Sequence, residues 1–343
     1  MVALEYPDAL IPTFVDNNSN VNDATLNIYG GTYTFHRNLF RNFANAASHN
    51  GYATVATINI YGGTFNGRPD DAGAIWNQKP SASTPAGAGV INVMGGTFNN
   101  VVIEDDFDGI ATVNDATELA NALNDSSVKV IQLGAGEFGT IVAKSNKTII
   151  GSADAKVDCV NLNGAQNLTL SSINFDAATA KMGYDKHKSG TARQVANIIT
   201  GDNENNPNIG ARNLVIDGCT FTGTFADGGA AIAFTDRSRP TGASGNITIK
   251  NCTFNTVGAY YDIYGYYTGA GQNGYGNFAI ENNKFKSETQ GKTIYLGQYA
   301  SNIAVEVNGN VFETKDSIND ALFLQAASNY TVSYNASGNT FAQ

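Results

Sequence analysis

The chain has few of the residues that cross-link, kink or anchor a protein. Its 343 residues include 3 cysteines, 7 prolines, 3 histidines and 1 tryptophan. The cysteine number is odd and the spacing matches no zinc site, so we assign no metal, cofactor or redox role. The scarcity of proline argues against proline-rich linkers, whereas 37 glycines allow many bends.

Long apolar runs are also missing. None approaches the ~18 residues that suggest a membrane-spanning helix, so we expect no membrane insertion. The opening segment, MVALEYPDALIPTF, lacks the basic and apolar regions of a signal peptide. We therefore expect a chain that is not exported by that route or has lost its leader.

Positive charge is scarce relative to negative charge. The sequence has 20 Lys and Arg against 30 Asp and Glu, which gives a formal net charge of −10. The two signs are interspersed along the chain rather than concentrated in blocks. This charge balance argues against nucleic acid and membrane surfaces as general partners.

What the sequence does contain is a repeated phrase, seen as TLNIYGGTYTF at 25–35, TINIYGGTFNG at 57–67 and VINVMGGTFNN at 90–100. Apolar and polar residues alternate before each glycine pair, as in a strand with one buried face. The glycines permit a bend, and a threonine and an aromatic residue then resume extended structure. Each phrase therefore predicts a strand, a corner and a second strand.

Weaker copies of the phrase begin at residues 168, 214, 247, 278 and 330. The aromatic residues that close the last four copies and one intervening segment recur at similar intervals, at Phe221, Phe254, Phe285, Phe312 and Phe341. This spacing predicts an all-β parallel β-helix in which Ile/Val, Phe and Asn residues form ladders from coil to coil. A β-propeller fits less well, because its blades need about 40–50 residues.

Some polar residues and cysteines take equivalent positions in this register. Cys219 and Cys252 should lie one coil apart, as an inward ladder of small thiols or, alternatively, as a disulfide. Asn146, Asn167, Asn246 and Asn251 begin Asn-x-Ser/Thr sequons, but asparagine is also a natural corner residue. We interpret them as structural.

The segment VNDATELANALNDSS at 113–127 breaks the strand pattern. Asp115 and Glu118 have the spacing of a capping box. The apolar stripe consists of Leu119, Ala120, Ala122 and Leu123. The pattern predicts a short amphipathic capping helix near 114–124. It divides the chain into an arm at 1–20, a three-coil unit at 21–110 and a capped β-helix at 111–343.

The segments IQLGAGEF, SNKTIIGS and NLTLSSINF follow this helix, and together they resemble the opening turns of the pectate lyase-like superfamily. The resemblance covers about 113–260 and implies a right-handed parallel β-helix, as in phage tailspikes and fibres. NLVIDGCTF is similar to the WIDHC coil of pectate lyases, with Val215 and Gly218 in place of Trp and His. The family's calcium-binding acids and R-x-P-x-x-R arginine have no counterpart, since RSRP at 237–240 lacks the second Arg. Calcium-dependent elimination is therefore not expected.

Strands that follow each copy of the phrase should align along one face, where their ends place acids, amides and tyrosines. Asp202, Asp236 and Asp262 are the candidate catalytic residues, because acids one coil apart would lie ~5 Å from each other, as in retaining glycosidases. The candidate carbohydrate-binding residues are Tyr264, Tyr266, Tyr267, Tyr299, Gln298, Gln325 and Arg237. Two alternatives stay open: Asp236 and Arg237 as a surface ion pair, and the tyrosines as a packed loop.

Three functions follow from this sequence. The first is a virion or cell-surface protein, like a phage tailspike or fibre, that recognises a polysaccharide or host-surface glycan. The second is a polysaccharide lyase or glycoside hydrolase, and the third is a purely structural virion or surface component. The last coil lacks an evident cap, so we expect it to be covered by another copy, as in a homo-oligomer such as a trimer, or by another virion protein.

Overall fold

The structure is a computed structural model that describes residues 11–13, 24–35, 38–43, 56–67, 73–78, 89–105, 109–183, 195–200, 211–226, 228–234, 245–266, 275–299, 302–326 and 328–342. The chain forms two compact units. The first unit comprises Met1–Gly136 with Lys147–Asp154, and the second comprises Glu137–Asn146 with Ala155–Gln343. The boundary at 110 that the sequence suggested stays a prediction.

The elements before residue 136 are mainly short strands. In chain order they are β1 (Ile11–Thr13), β2 (Ala24–Ile28), β3 (Thr32–Phe35), β4 (Asn38–Phe43), β5 (Ala56–Ile60), β6 (Thr64–Gly67), β7 (Gly73–Gln78), β8 (Gly89–Val93), β9 (Thr97–Asn99), β10 (Val101–Asp105), β11 (Ile110–Val113), α1 (Ala116–Asn124) and β12 (Val130–Leu133).

The elements from residue 136 onward continue the same pattern. They are β13 (Gly136–Val142), β14 (Lys147–Ile150), β15 (Ala155–Asn161), β16 (Gln166–Ser171), β17 (Asn174–Asp176), a 3-10 turn (Ala177–Thr179), β18 (Lys181–Met182), β19 (Val195–Ile199), β20 (Arg212–Asp217), β21 (Thr220–Thr224), β22 (Ala230–Phe234), β23 (Gly245–Lys250), β24 (Thr253–Val257), β25 (Tyr261–Tyr266), β26 (Tyr275–Glu281), β27 (Lys284–Phe285), β28 (Ile294–Tyr299), β29 (Ile303–Asn308), β30 (Val311–Phe312), α2 (Ile318–Ala321), β31 (Leu322–Ala326), β32 (Val332–Ser337) and β33 (Thr340–Phe341).

Parallel pairing between equivalent strands builds the first unit. The three copies of the phrase supply the sheets β2-β5-β8 and β3-β6-β9. The strands that follow the copies, β4, β7 and β10, form a third sheet together with β1, which precedes the first copy. Register is exact in the repeat, since Asn27 pairs with Asn59 and Asn59 pairs with Asn92. Each copy therefore contributes one coil of three strands.

The second unit repeats this arrangement over more coils. β16, β20, β23, β26, β29 and β32 lie side by side in one parallel sheet, and β19, β22, β25, β28 and β31 lie side by side in another. β17, β21, β24, β27 and β30 connect the two along the chain, and β33 pairs with β30. The predicted right-handed parallel β-helix is confirmed, including the third strand of each coil.

A phenylalanine ladder fills the core of the second unit. Rings in successive coils stack with centroids 4.8–5.4 Å apart and nearly parallel planes, and the members are Phe175, Phe221, Phe254, Phe285, Phe312 and Phe341. Each stacked pair adds about 0.5–1.5 kcal/mol to the stabilisation that burial of the rings provides. The ladder confirms the aromatic spacing read from the sequence.

Asparagine ladders lie at the corners, as predicted. Asn167 Nδ2 donates to Asn146 Oδ1, and Asn213 Nδ2 donates to Asn167 Oδ1, both over 2.8 Å. All three residues have positive φ, between 49° and 59°, which asparagine tolerates better than most residues. Asn251 shares this conformation. The structural interpretation is thus confirmed for Asn146, Asn167 and Asn251, and it stays a prediction for Asn246.

The cysteines are reduced and buried. Cys219 and Cys252 occupy equivalent positions one coil apart, next to the paired residues Thr220 and Thr253. Cys252 Sγ donates to the Lys250 carbonyl oxygen over 3.2 Å, and burial raises the pKa of its thiol well above the usual range. The inward ladder of thiols is confirmed, and it contains no disulfide.

Helix α1 begins where the capping box predicted. Asp115 Oδ1 accepts from the N–H groups of Thr117 and Glu118, while Glu118 Oε2 accepts from Asn114 N–H. Leu119 and its neighbours on the predicted stripe are buried, except for Ala120, which is exposed. Among the described residues, no helix is long and apolar enough to cross a membrane.

A buried lysine holds the end of α1. Lys147 Nζ donates to the carbonyl oxygens of Ala122 at 3.1 Å, Asp125 at 2.5 Å and Val128. Burial lowers the pKa of this ammonium group. The carbonyls at a helix C-terminus lack partners within the helix, so the lysine satisfies groups that would otherwise stay unpaired.

We expect Lys147→Met to reduce the free energy of unfolding by about 3 kcal/mol, because methionine keeps the apolar stem but leaves buried carbonyl oxygens without a hydrogen-bond donor. Guanidinium denaturation followed by circular dichroism measures the change. Lys144→Met is the control, since Lys144 is exposed, and we expect less than about 0.5 kcal/mol there. Equal stabilities of the two variants would contradict this role of Lys147.

Candidate functional site

An aromatic column crosses three neighbouring strands of the second unit. Tyr264 on β25 pairs with Tyr295 on β28, which pairs with Phe323 on β31. The rings of Tyr295 and Phe323 stack with centroids 4.6 Å apart, and those of Tyr264 and Tyr295 are tilted at 5.7 Å. Parallel pairing holds the three side chains on one side of the sheet, because equivalent positions of in-register strands point the same way.

A cleft of about 430 Å³ opens beside this column. Its wall contains Tyr261, Gln290, Gly291, Lys292, Tyr295, Lys315, Asp320 and Phe323. Tyr261 packs its ring 5.1 Å from that of Tyr295 and stacks on that of Tyr264 at 5.2 Å. Tyr295 and Phe323 are only half-buried, so two rings of the column are accessible from the cleft.

Two lysines are fixed at the cleft by backbone oxygens. Lys315 Nζ donates to the carbonyl oxygens of Thr289, at 3.3 Å, and Gly291, at 3.0 Å. Lys292 Nζ donates to the Asn319 carbonyl oxygen. Within the described part of the chain, neither lysine forms an ion pair with a carboxylate. Their charges are therefore not neutralised by a direct carboxylate contact there.

The acid in the wall belongs to the N-terminus of α2. Asp320 Oδ2 accepts a hydrogen bond from Ser317 Oγ over 2.6 Å, and Ser317 in turn caps the helix by accepting from Asp320 N–H. Asp320 is exposed. Its carboxylate can therefore accept hydrogen bonds from a ligand while it keeps the bond to Ser317.

The wall of the cleft requires a glycine at position 291. Gly291 N–H donates to the Tyr260 carbonyl oxygen over 3.0 Å, which brings the backbone against the aromatic cluster. A Cβ at this position would lie 2.7 Å from Tyr261 Cε1. A larger residue would displace the Tyr261 ring, so the glycine preserves the shape of the cleft.

These groups suit a ligand with both apolar and hydrogen-bonding surfaces. Half-exposed rings can contact the apolar face of a sugar, and lysines and a carboxylate can bind hydroxyl or acidic groups beside it. Among the residues that the structure describes, no group of three or more His, Cys, Asp or Glu side chains is arranged to hold a metal ion. The cleft therefore offers a binding chemistry based on stacking and charge.

The structure corrects the predicted position of Asp262. The sequence placed this residue on the outward face, but its side chain is 0% exposed and neither carboxyl oxygen has a hydrogen-bond partner among the described residues. Burial raises the pKa of the carboxyl to about 7. Two neighbours, Ser287 and Lys315, act in the opposite direction and lower this pKa. The Ser287 hydroxyl does so without forming a hydrogen bond to the carboxyl. A polymer at the surface does not reach this carboxyl.

Two other predicted binding residues have described side chains. Tyr264 is 5% exposed and packed between neighbouring rings, so it fits the packed alternative rather than an exposed platform. Gln325 on β31 is exposed, in the outward position that was predicted. Neither position tests a role in carbohydrate binding.

The remaining predicted residues lie wholly or partly outside the described structure. Tyr266, Gln298 and Tyr299 belong to described strands, but their side chains are outside the description. Asp202, Asp236, Arg237 and Tyr267 lie outside the described residues altogether. The proposed Asp202/Asp236 pair therefore stays a prediction.

Sequence reasoning missed most of the cleft. Tyr261, Tyr295, Phe323, Lys292, Lys315 and Asp320 were not among the predicted site residues. A signal existed for the column, because Tyr264, Tyr295 and Phe323 each follow an apolar residue that occupies the same place in successive coils, at Ile263, Ile294 and Leu322. No comparable signal marks the lysines, since they lie on connections of different length.

Comparison with known proteins adds no assignment to this geometry. No protein-family model matches the chain, and none of the curated proteins compared with it is significantly similar. The case for a function therefore rests on the fold and on the residues of the cleft.

Proposed function

We propose that this protein is a β-helical surface protein, of the pectate lyase-like kind found in phage tailspikes and fibres, that recognises carbohydrate on a host surface. The virion or the extracellular surface is its expected location. The observation that carries the proposal is the cleft in which the half-exposed rings of Tyr295 and Phe323 lie beside the amines of Lys292 and Lys315.

Rigid support of the aromatic rings favours binding. Tyr295 projects from β28, which is hydrogen-bonded to β25 and β31, and Phe323 projects from β31, which pairs with β28 and directly follows α2. Little side-chain freedom is therefore lost when a ligand docks. Aromatic residues on regular strands also keep their spacing without a ligand. A pre-arranged stacking surface is what a sugar-binding site requires.

We expect Tyr295→Ala to weaken glycan binding about tenfold or more, because it removes the central ring of the accessible column. Immobilised capsular polysaccharide and lipopolysaccharide panels identify a ligand, and isothermal titration then measures its affinity. Tyr334→Ala is the matched control, since Tyr334 is an exposed tyrosine on β32 that is not part of the cleft. Binding that depends equally on both tyrosines would contradict the cleft as the site.

The same preparations distinguish recognition from degradation. Assays for new reducing ends and for unsaturated uronates detect a hydrolase or a lyase, and we expect neither product. Detection of a product that disappears in Asp236→Asn would overturn this expectation and establish the enzyme alternative. Sedimentation velocity at micromolar concentration separately tests the expected homo-oligomer.

A further inference from the structure

One column of strand positions in the second unit carries buried polar side chains that are not part of the cleft wall. The register of β19, β22, β25 and β28 brings equivalent residues one coil apart. Each strand contributes one residue to this column, and in order they are Asn197, Ala231, Asp262 and Thr293. All four are at most 1% exposed. We call this set the polar column.

The polar column contains most of the unpaired buried oxygens. In the part of the chain that the structure describes, five buried side-chain oxygens have no hydrogen-bond partner. Four of them belong to the column, namely Asn197 Oδ1, Asp262 Oδ1, Asp262 Oδ2 and Thr293 Oγ1, and the fifth is Ser152 Oγ. Buried polar groups are normally hydrogen-bonded to protein or to ordered water. Their concentration in one column therefore indicates a shared partner that is not a protein group.

Two members of the column are direct neighbours. Asp262 N–H donates to the Thr293 carbonyl oxygen over 2.9 Å, so the two residues are one strand spacing, about 4.8 Å, apart. Equivalent positions of in-register parallel strands point the same way. A small molecule between the two side chains can therefore contact both the carboxyl and the hydroxyl group.

The amide of Asn197 is fixed at the other end of the column. Its Nδ2 donates to the carbonyl oxygens of Asp158, at 3.1 Å, and Asp176, at 2.8 Å, which leaves Oδ1 as the unpaired acceptor. Ala231 separates Asn197 from Asp262, so these two residues are two strand spacings, about 10 Å, apart. The short alanine side chain leaves more room between them than a larger residue would.

Water suits these groups better than a cation does. A cation such as calcium takes about 6–8 oxygen ligands at about 2.3–2.6 Å. One ion in the column could reach the oxygens of Asp262 and Thr293 but not Asn197, which would stay unpaired. Water both donates and accepts, so successive water molecules can donate to the Asn197 and Asp262 oxygens and accept from the Thr293 hydroxyl.

We infer that ordered water molecules occupy the polar column, with one bridging Asp262 and Thr293 and at least one more beside Ala231, between Asn197 and Asp262. The coil stack thus has an internal hydration site, separate from the Phe ladder. The site does not depend on the carbohydrate proposal, because none of its residues belongs to the wall of the cleft.

A crystal structure of the wild-type protein at high resolution tests the site directly. We expect a solvent peak at hydrogen-bond distance, about 2.6–3.2 Å, from both an Asp262 carboxyl oxygen and Thr293 Oγ1. Direct hydrogen bonds between these side chains and protein groups, with no solvent peak, would overturn the inference. Crystals grown in rubidium chloride distinguish the alternative ligand, since an anomalous peak at this position would identify a cation and also overturn it.

Water ¹⁷O relaxation dispersion counts long-lived internal water molecules in solution. Asp262→Leu combined with Thr293→Val replaces both polar groups by apolar groups of similar shape, a change that is often close to neutral for folding. We expect this double variant to lose about one or more long-lived water molecules. An unchanged number in the folded double variant would overturn the inference.

The matched control removes the same two kinds of group outside the column. Asp316 is exposed and Thr248 is half-buried, so Asp316→Leu combined with Thr248→Val should keep the wild-type number of long-lived water molecules. An equal loss in both double variants would contradict the assignment of the water to the polar column. If the column variant does not fold, the solvent peak in the wild-type crystals decides the question.

Discussion

Ile249→Asp is expected to lower the free energy of unfolding of the second unit by more than about 5 kcal/mol. Ile249 is completely buried on β23, and its register partners in the adjacent coils are Ile216 and Ile280. Loss of a buried aliphatic side chain costs about 2–5 kcal/mol. An unpaired carboxyl among aliphatic residues adds several kcal/mol, either as a buried charge or as the cost of protonating it at neutral pH.

Two further variants show whether the inward position is responsible. Thr248→Asp introduces the same carboxyl one residue earlier, where the side chain is half-buried, and we expect a loss of less than about 1 kcal/mol there. Ile249→Val removes one methylene group and should cost about 1 kcal/mol. Guanidinium denaturation measures all three variants, and similar midpoints for Ile249→Asp and Thr248→Asp would contradict the assignment of the inward face.

The coil arrangement was predictable because each repeat of the sequence corresponds to one coil of the structure. Phe254 is equivalent to Phe221 and Phe285 in the adjacent coils and stacks on both rings. When a residue packs against the same residue type one repeat away, the repeat alone identifies its packing partner. Asn146 and Asn167 mark corners for the same reason, since amide-to-amide hydrogen bonds repeat from coil to coil. Local pattern and long-range contact coincide in such a fold.

The position of Asp262 was not predictable from the strand pattern. Strict alternation places Asp262 opposite the inward Ile263, yet both residues are 0% exposed. At the same time the rings of Tyr261 and Tyr264, three residues apart, are stacked on one another. Strand β25 begins at a corner, and there the two-residue alternation does not hold. Sequence periodicity therefore fails at the point where the candidate site is built.

The lysines of the cleft were missed for a different reason. Lys292 precedes β28, whereas Lys315 follows β30 in the next coil, so their proximity depends on the lengths of two connections. Repeat spacing gives the register of strands but not the path of the chain between them. The cleft could be located only after the strands and their connections were both in place.

Asp262→Asn is expected to stabilise the protein by up to about 4 kcal/mol at pH 8, which corresponds to a pKa raised from 3.8 to about 7. The folded state binds the Asp262 proton more tightly than the unfolded state does. Stability from this group is therefore greatest below pH 3.8, decreases as pH rises from 3.8 to about 7, and stays at the lower level above that pH. An asparagine carries no proton to lose and fits the same volume.

Guanidinium denaturation from pH 4 to pH 8.5 measures this difference. The stability advantage of Asp262→Asn over the wild type should grow across the acidic range and level off above neutrality. Asp316→Asn is the control, because it changes net charge equally at an exposed position and should give a pH profile parallel to that of the wild type. Lys315 favours the ionised carboxyl of Asp262. The single variant Lys315→Met, which keeps Asp262, should therefore be less stable at pH 8 than the wild type and Asp262→Asn. An advantage of Asp262→Asn that does not vary with pH would show that the Asp262 carboxyl is not the group whose ionisation destabilises the core.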